Sequence, residues 1–290
     1  MRKLTYLVTE AEDGRALGRV LESALHLSRH RVSSLKFSGG ILLDGHSAHT
    51  GARVRAGQCV EVLLLDAPAH MVPYPLPLSL PYRDQDLLVV DKPAPLPAIH
   101  SARQDERTLE NAVYAALGCP GDFCYRPVSR LDKGTSGLMP VALNAHMHDR
   151  MQRLLHTEDY VREYLAVVEG APPEEEGVCE APIAHGPGVL RVVSPEGKPC
   201  RTRYRVLDRG CGRSLLRLRL DTGRTHQIRV RMRYLGCPVA GDMLYGAPLP
   251  LLPGRFALHS AYLSFRHPLT GREVALSSPL PEALAGLLKE

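Results

Sequence analysis

No run in the 290-residue chain approaches the roughly 18 consecutive apolar residues that a membrane-spanning helix needs. The opening MRKLTYLVTEAEDG meets acids before any apolar stretch of signal-peptide length, so a cytoplasmic protein without a membrane partner is expected. Cysteine supplies no framework. The seven residues, at 59, 119, 124, 179, 200, 211 and 237, are scattered, odd in number and without a CxxC pair, which argues against zinc and disulfides alike. His146, His148 and His156 lie close together but at no metal-ligand spacing and without an acidic ligand cluster, and read as helix-surface residues. Also missing are a Walker GxxxxGK(S/T), a GxGxxG after a strand and a GxSxG elbow. The DTG at 221–223 occurs once, whereas aspartic-protease chemistry needs two such carboxylates sharing a site, so the match is fortuitous. Neither a metal nor a cofactor is expected.

What is present is arginine, unevenly spread. The formal net charge is only +5, yet from Arg201 to Gly236 eleven arginines stand against two acids, Asp208 and Asp221. A solvated face normally mixes signs. Arginine also suits bidentate phosphate contacts better than lysine, so a nucleic-acid partner is inferred.

The chain separates into three regions. In residues 1–66, Leu17 to about Leu27 carries apolar residues at helical spacing, and a second helix starts at Ser28, a good N-cap. The strand ILLDG and a closing strand pair in VRAGQCVEVLLL follow. With Arg29, Arg31 and Lys36 near the second helix, this is a small basic α/β module. Residues 67–82 hold five prolines between 68 and 81 and read as a linker. Residues 83–290 alternate strands (DLLVVDKP, LMPVAL, YVREYLAVVEG, SLLRLRLDTG) with helices at 107–117 and in ALNAHMHDRMQRLLH. An α+β fold with a mixed, mostly antiparallel sheet flanked by helices and loops is expected. In QIRVRMRYLGCP the alternating arginines suit a strand, but Ile228, Met232 and Leu235 fall at helical spacing and the Gly236–Pro238 stop favours a short helix.

One stretch carries chemistry. SRLDKGTSGLM, residues 129–139, sets Asp132 between Arg130 and Lys133 and follows it with a loop-forming GTSG. Such an acid is usually a surface ion pair worth roughly 0–1 kcal/mol. No second acid stands nearby to build a paired-carboxylate hydrolase. A carboxylate held near a guanidinium stays ionised, and can then act as nucleophile or base.

The stretch VSRLDKGTSGLM resembles the HRLDxxTSG signature of the RluA-type RNA pseudouridine synthases. DLLVVDKP, VREYLAVVEG, LDTGRTHQIRVRMRYLGCPVAGDMLYG and RFALHSAYLSFRHP resemble further segments of that family in the same order, so the resemblance covers about 83–290. The N-terminal LESALHLSRHRVSSLKFSGGILLDG is loosely similar to the S-four-like RNA-binding domain. Three positions depart from the pattern: Ser129 and Arg231 stand where histidine is usual, and Gly134 replaces a polar residue.

The resemblance implies isomerisation of uridine to pseudouridine in RNA, by breaking the N-glycosidic bond, turning the base and rejoining it through carbon 5. That reaction is redox-neutral and releases nothing. It also implies the roles: Asp132 as the essential catalytic residue, Arg229 orienting it, and Tyr164 stacking on the base and aiding proton transfer. A uridine in a duplex cannot be reached, so the target should flip into the pocket. Arg130, Lys133 and Arg224 would hold RNA beside the site, and Arg29, Arg31 and Lys36 on the module. Gly134 and Gly137 are read as letting the loop turn, His226 as holding local structure, and Lys92 as structural or phosphate-binding. Ribosomal RNA, in particular the large subunit's, is the expected substrate of a monomer. A catalytically silent RNA-binding protein acting in ribosome assembly is the alternative from another class.

Overall fold

The computed structural model describes residues 2–64, 71–100 and 107–289. Residues 67–70 of the expected linker lie outside the described residues. Within the described residues no helix is long and apolar enough to cross a membrane.

The N-terminal part contains β1 (Arg2–Leu7), α1 (Leu17–Ser23), α2 (Arg29–Ser38), β2 (Ile41–Leu43), β3 (His46–Ser47) and β4 (Cys59–Leu64). Its four strands form one antiparallel sheet in the order β1-β4-β2-β3. β4 alternates half-buried and buried residues, sending Val60, Val62 and Leu64 against Leu17, Val20, Leu21 and Leu35 of the helices. Ser28 caps α2 as expected, its hydroxyl accepting from the Arg31 amide at 3.3 Å. Three details depart from the sequence reading. β1 precedes the helices. α1 stops at Ser23, and His26 takes a left-handed backbone (φ 51°) that ends any helix before Leu27. VRAGQ is not a strand but a turn through Gly57 (φ 85°), so a single strand follows it.

The rest is built on β5 (Ser79–Arg83), β6 (Leu87–Lys92), α3 (Leu109–Ala116), β7 (Arg126–Pro127), β8 (Ser136–Ala142), α4 (Ala145–Leu154) and β9 (Val161–Glu169). After these come β10 (Glu176–Cys179), β11 (Ile183–His185), β12 (Arg191–Val193), β13 (Thr202–Gly210), β14 (Arg213–Leu220), α5 (Gln227–Tyr234), β15 (Leu258–Arg266), β16 (Glu273–Ser277) and α6 (Glu282–Ala285). A ten-stranded sheet runs β10-β13-β14-β9-β15-β8-β6-β5, with β16 beside β15 and β7 beside β8, while β11 and β12 form a separate hairpin. Only the β15–β8 pairing in it is parallel, so the expected mixed, mostly antiparallel α+β architecture is the observed one. Ser79–Tyr82, placed in the linker from their prolines, belong to β5. It is an edge strand, where Pro81 deprives no inner ladder of a donor.

The continuous apolar run of β6 has a direct cause. Leu88 and Val90 pack on one face of the sheet with Leu109 and Val113 of α3, and Leu87 and Val89 pack on the other with Met147 and Met151 of α4. A strand covered on both faces shows no alternation. The same packing buries His146 at 3% exposure, so it is not the helix-surface residue its polarity suggested.

The parallel β8–β15 junction places the Asp132 loop, because β8 begins at Ser136 directly after it. Its register pairs Gly137 with Ser260. Gly137 has φ +105°, and a Cβ there would stand 2.2 Å from the Ser260 carbonyl oxygen. Gly134 has an ordinary backbone. It is needed for space instead, since a Cβ would come within 2.7 Å of the Phe256 ring. Gly137→Ala is expected to cost about 3 kcal/mol or more, from backbone strain and overpacking together. Chemical denaturation would read it, and an unchanged midpoint would contradict the packing described.

Candidate active site

Asp132 and Arg229 are 97 residues apart and meet because β8 and α5 converge at one end of the sheet. Arg229 is at the first turns of α5, 6% exposed. It donates from Nε to Asp242 Oδ2 (2.6 Å), from Nη2 to Asp242 Oδ1 (2.9 Å) and from Nη1 to Asp132 Oδ2 (2.9 Å). The fork grips Asp242, itself 1% exposed, in bidentate fashion and leaves one nitrogen for Asp132. Tyr245 and Phe256 flank the guanidinium, with ring centroids at 4.9 Å and 4.2 Å. Burial opposes the charge, but the Asp242 hydrogen bonds and the two carboxylates prevail and raise the pKa of Arg229.

Asp132 itself is only partly covered, its side chain 29% exposed, so it faces solvent space rather than the core. A cleft of ≈ 580 Å³ opens there, lined among others by Arg130, Asp132, Arg162, Tyr164, Arg224 and His226. Beside it a recess of ≈ 60 Å³ is bounded by Asp132, Tyr164 and Arg229 together. Tyr164 is 6% exposed on β9, between Leu218 of β14 and Ser260 of β15. Burial raises its phenol pKa, which the charge of Arg162 and hydrogen bonding to Ser260 only partly offset, so the hydroxyl keeps its proton at neutral pH.

Three supports hold this geometry. Lys92, fully buried at the end of β6, donates from Nζ to the carbonyls of Leu96 (2.8 Å), Pro93 (3.1 Å) and Lys133 (3.4 Å), tying the Asp132 loop to the sheet. Burial first, then the Arg255 charge, push its pKa down to about 7. Gln227 accepts from the Thr222 hydroxyl (3.1 Å) and the Arg224 amide (2.9 Å) and donates to the Arg201 carbonyl (3.0 Å), fixing the loop before α5. His226 enters α5 in a left-handed conformation (φ 58°). Tyr245 Oη accepts from the Arg191 amide (3.0 Å) and is hydrogen-bonded to His226 Nδ1 at 2.8 Å. The other ring nitrogen, Nε2, stands 3.8 Å from Asp132 Oδ2. Burial lowers the His226 pKa against the pull of Asp132, and the ring is neutral at neutral pH.

The structure therefore brings Asp132, Tyr164 and Arg229 together, with Arg130, Lys133 and Arg224 on the cleft wall. Arg29, Arg31 and Lys36 lie apart, on α2 of the N-terminal part. That part touches the larger one where the Ser28 hydroxyl donates to Asp149 of α4 at 2.8 Å. Asp242, Tyr245 and Phe256 escaped the sequence reading. No periodicity connects a loop acid 13 residues beyond Arg229 to that side chain. The arginine-rich segment also changes meaning. Arg201, Arg205, Arg209, Arg213 and Arg217 lie 2.5–3.9 Å from Glu180, Glu176, Glu175, Glu169 and Glu163, all acids from outside the segment, and Arg229 holds Asp242 and Asp132. Arg231 is fully buried, donating to the carbonyls of Ala181 and Cys200. The local excess counted along the chain is thus largely offset in space. Among the described residues no group of three or more His, Cys, Asp or Glu is placed to hold a metal ion.

Residues 86–234 match the family described as RNA pseudouridylate synthase. The chain is 37% identical to ribosomal large subunit pseudouridine synthase D of Xanthomonas campestris over 97% of its own length and 90% of that protein's. Against the protein of the same name from Vibrio cholerae the identity is 34%, over 97% and 92%. Among solved structures, human RNA pseudouridylate synthase domain containing 1 superposes with a TM-score of 0.60 at 28% identity, covering 72% of this chain and 86% of that one.

Replacing Asp242 by Ala leaves the Arg229 charge buried with only Asp132 to answer it. The expected loss of stability is about 3–5 kcal/mol, measured by denaturant unfolding. A loss below about 1 kcal/mol would show that Asp242 does not anchor Arg229.

Proposed function

The chain belongs to the RNA pseudouridylate synthase family, and from that premise we propose that it isomerises uridines of large-subunit ribosomal RNA with Asp132 as the acting carboxylate. The observation that carries the reading is the shared recess: Asp132, Arg229 and Tyr164 come from three distant segments and line one small space. A role limited to holding RNA gives no reason for a carboxylate fixed so firmly inside a basic cleft.

In the reaction the C1′–N1 bond breaks, a C1′–C5 bond forms, C5 loses a proton and N1 gains one. No net charge or atom is exchanged with a second substrate. Asp132 supplies the carboxylate that acts on the nucleoside, and Arg229 fixes its direction through the 2.9 Å hydrogen bond. Tyr164 offers its ring to the base and a protonated hydroxyl for hydrogen bonding or proton transfer. His226, neutral and with Nε2 3.8 Å from Asp132 Oδ2, stands beside the same carboxylate. The cleft admits a nucleotide turned out of its stack, with Arg130, Lys133 and Arg224 placed along the wall to meet backbone phosphates.

Substrate choice is assigned to ribosomal RNA on two grounds. The relatives from Xanthomonas and Vibrio carry that substrate in their names and match nearly the whole chain, including its N-terminal part. That part has, over its described residues 2–64, two helices and a small sheet, with Arg29 and Lys36 exposed on α2, and residues 1–66 are read as an S-four-like RNA-binding module joined to the catalytic domain. A cytoplasmic location follows from such a substrate.

Pseudouridine mapping of total RNA from cells lacking the protein is the test. Specific large-subunit sites should vanish, and return with the wild type but not with Asp132→Asn. No change at any site, or changes confined to transfer RNA, would overturn the assignment.

A further inference from the structure

One cation in the cleft has no evident structural duty. Arg162 lies on β9 two residues before Tyr164 and on the same face, 6% exposed, and lines the cleft. Its guanidinium stands 5.5 Å from the centroid of the Tyr160 ring, and its Nε has no hydrogen-bond partner among the described residues. Arg213 and Arg217 of the neighbouring strand each face a glutamate of β9, at 3.3 Å and 3.9 Å, whereas no such ion pair reaches Arg162 among the described residues. A buried donor without a partner in the folded protein calls for an explanation.

The chain opposite comes close to it. At Gly223, in the loop between β14 and α5, a Cβ would stand 3.0 Å from Arg162 Nη1 and 3.4 Å from Nη2, so the glycine leaves the guanidinium free of a side chain on that side. The charge of the cleft points the same way. Among the described residues Asp132 is its single acidic lining residue and is already engaged by Arg229, while Arg130, Lys133, Arg162 and Arg224 are cationic. Of these four only Arg162 is buried, so its attraction for an anion is the least weakened by salt and solvent.

We propose that Arg162 binds a backbone phosphate of the RNA, that of the nucleotide whose base meets Tyr164 or of its immediate neighbour. Two residues along a strand span about 7 Å, which places the anion beside the target rather than at a remote part of the substrate. A planar fork approached from the open side of the cleft can give two parallel N–H donors to a phosphate. Arg162 is in this reading a binding and positioning residue. The inference rests on the RNA-modifying function above.

The test compares wild type, Arg162→Gln and Arg162→Lys on an unmodified large-subunit ribosomal RNA transcript across a potassium chloride series. Turnover gives KM and kcat, and fluorescence anisotropy gives affinity without turnover. Arg162→Gln should raise KM about tenfold and keep kcat within about threefold. It should also lower the slope of log affinity against log salt by about 0.7–0.9, the value of one lost phosphate contact. Arg162→Lys keeps a charge at the position, so it should keep the wild-type slope and serves as the control for folding. Equal slopes in wild type and Arg162→Gln, or a fall in kcat alone, would overturn the proposal and leave Arg162 as a packing partner of Tyr160. If the wild type binds the transcript without isomerising it, the functional reading fails, while the slopes still decide the role of Arg162.

Discussion

The site depends on one guanidinium shared between two carboxylates. Arg229 spends two nitrogens on the buried Asp242 and the third on Asp132, under the rings of Tyr245 and Phe256. Because the bidentate pair is sealed from water, the arginine cannot rotate without stranding a buried charge, an arrangement that costs several kcal/mol. The half-exposed Asp132 therefore inherits a fixed direction from a partner that has none to spare. A free surface aspartate beside Arg130 and Lys133 would gain no such constraint.

Everything around this pair serves to deliver its two halves to one place. Asp132 arrives on the loop that β8 begins, and that loop is fastened from beneath by Lys92, whose ammonium reaches the Lys133 carbonyl. The close β8–β15 junction, possible only with Gly137, and the Gly134–Phe256 approach set the loop's height. Arg229 arrives on α5, whose entrance is fixed by Gln227 and His226. Phe256 belongs to both halves, since it packs on Gly134 and under Arg229.

Much of this was legible from the residues, and the reasons for the rest are physical. Long strands covered on both faces, such as β6, announced themselves by unbroken apolar runs, and α5 by its spacing and glycine stop. Asp132, Tyr164 and Arg229 could be named through the resemblance of the segments that carry them to one family, and the three line one recess. Asp242 could not, because its importance comes from a contact made only after folding. β5 was hidden by Pro81, which signals a break inside a sheet but is harmless at its edge. The eleven arginines pointed to an RNA partner, as the family bears out, but the size of their excess was overstated: their acids come mostly from β9 and β10 and the chain beside them, so a count along the segment could not see them. Gly134 looked like a turn residue and proved to be a space for a ring. Arg162, two residues from the tyrosine, had no feature to single it out until its buried place on the cleft wall could be seen.

Arg229→Lys tests the central claim most directly, because lysine keeps the charge but cannot hold Asp242 with two donors and direct Asp132 with a third. Single-turnover rates and RNA affinity measured together would separate direction from binding. A rate about 100-fold lower is expected, the cost of a misdirected catalytic group, with affinity within about threefold of wild type. A rate within threefold of wild type would contradict it.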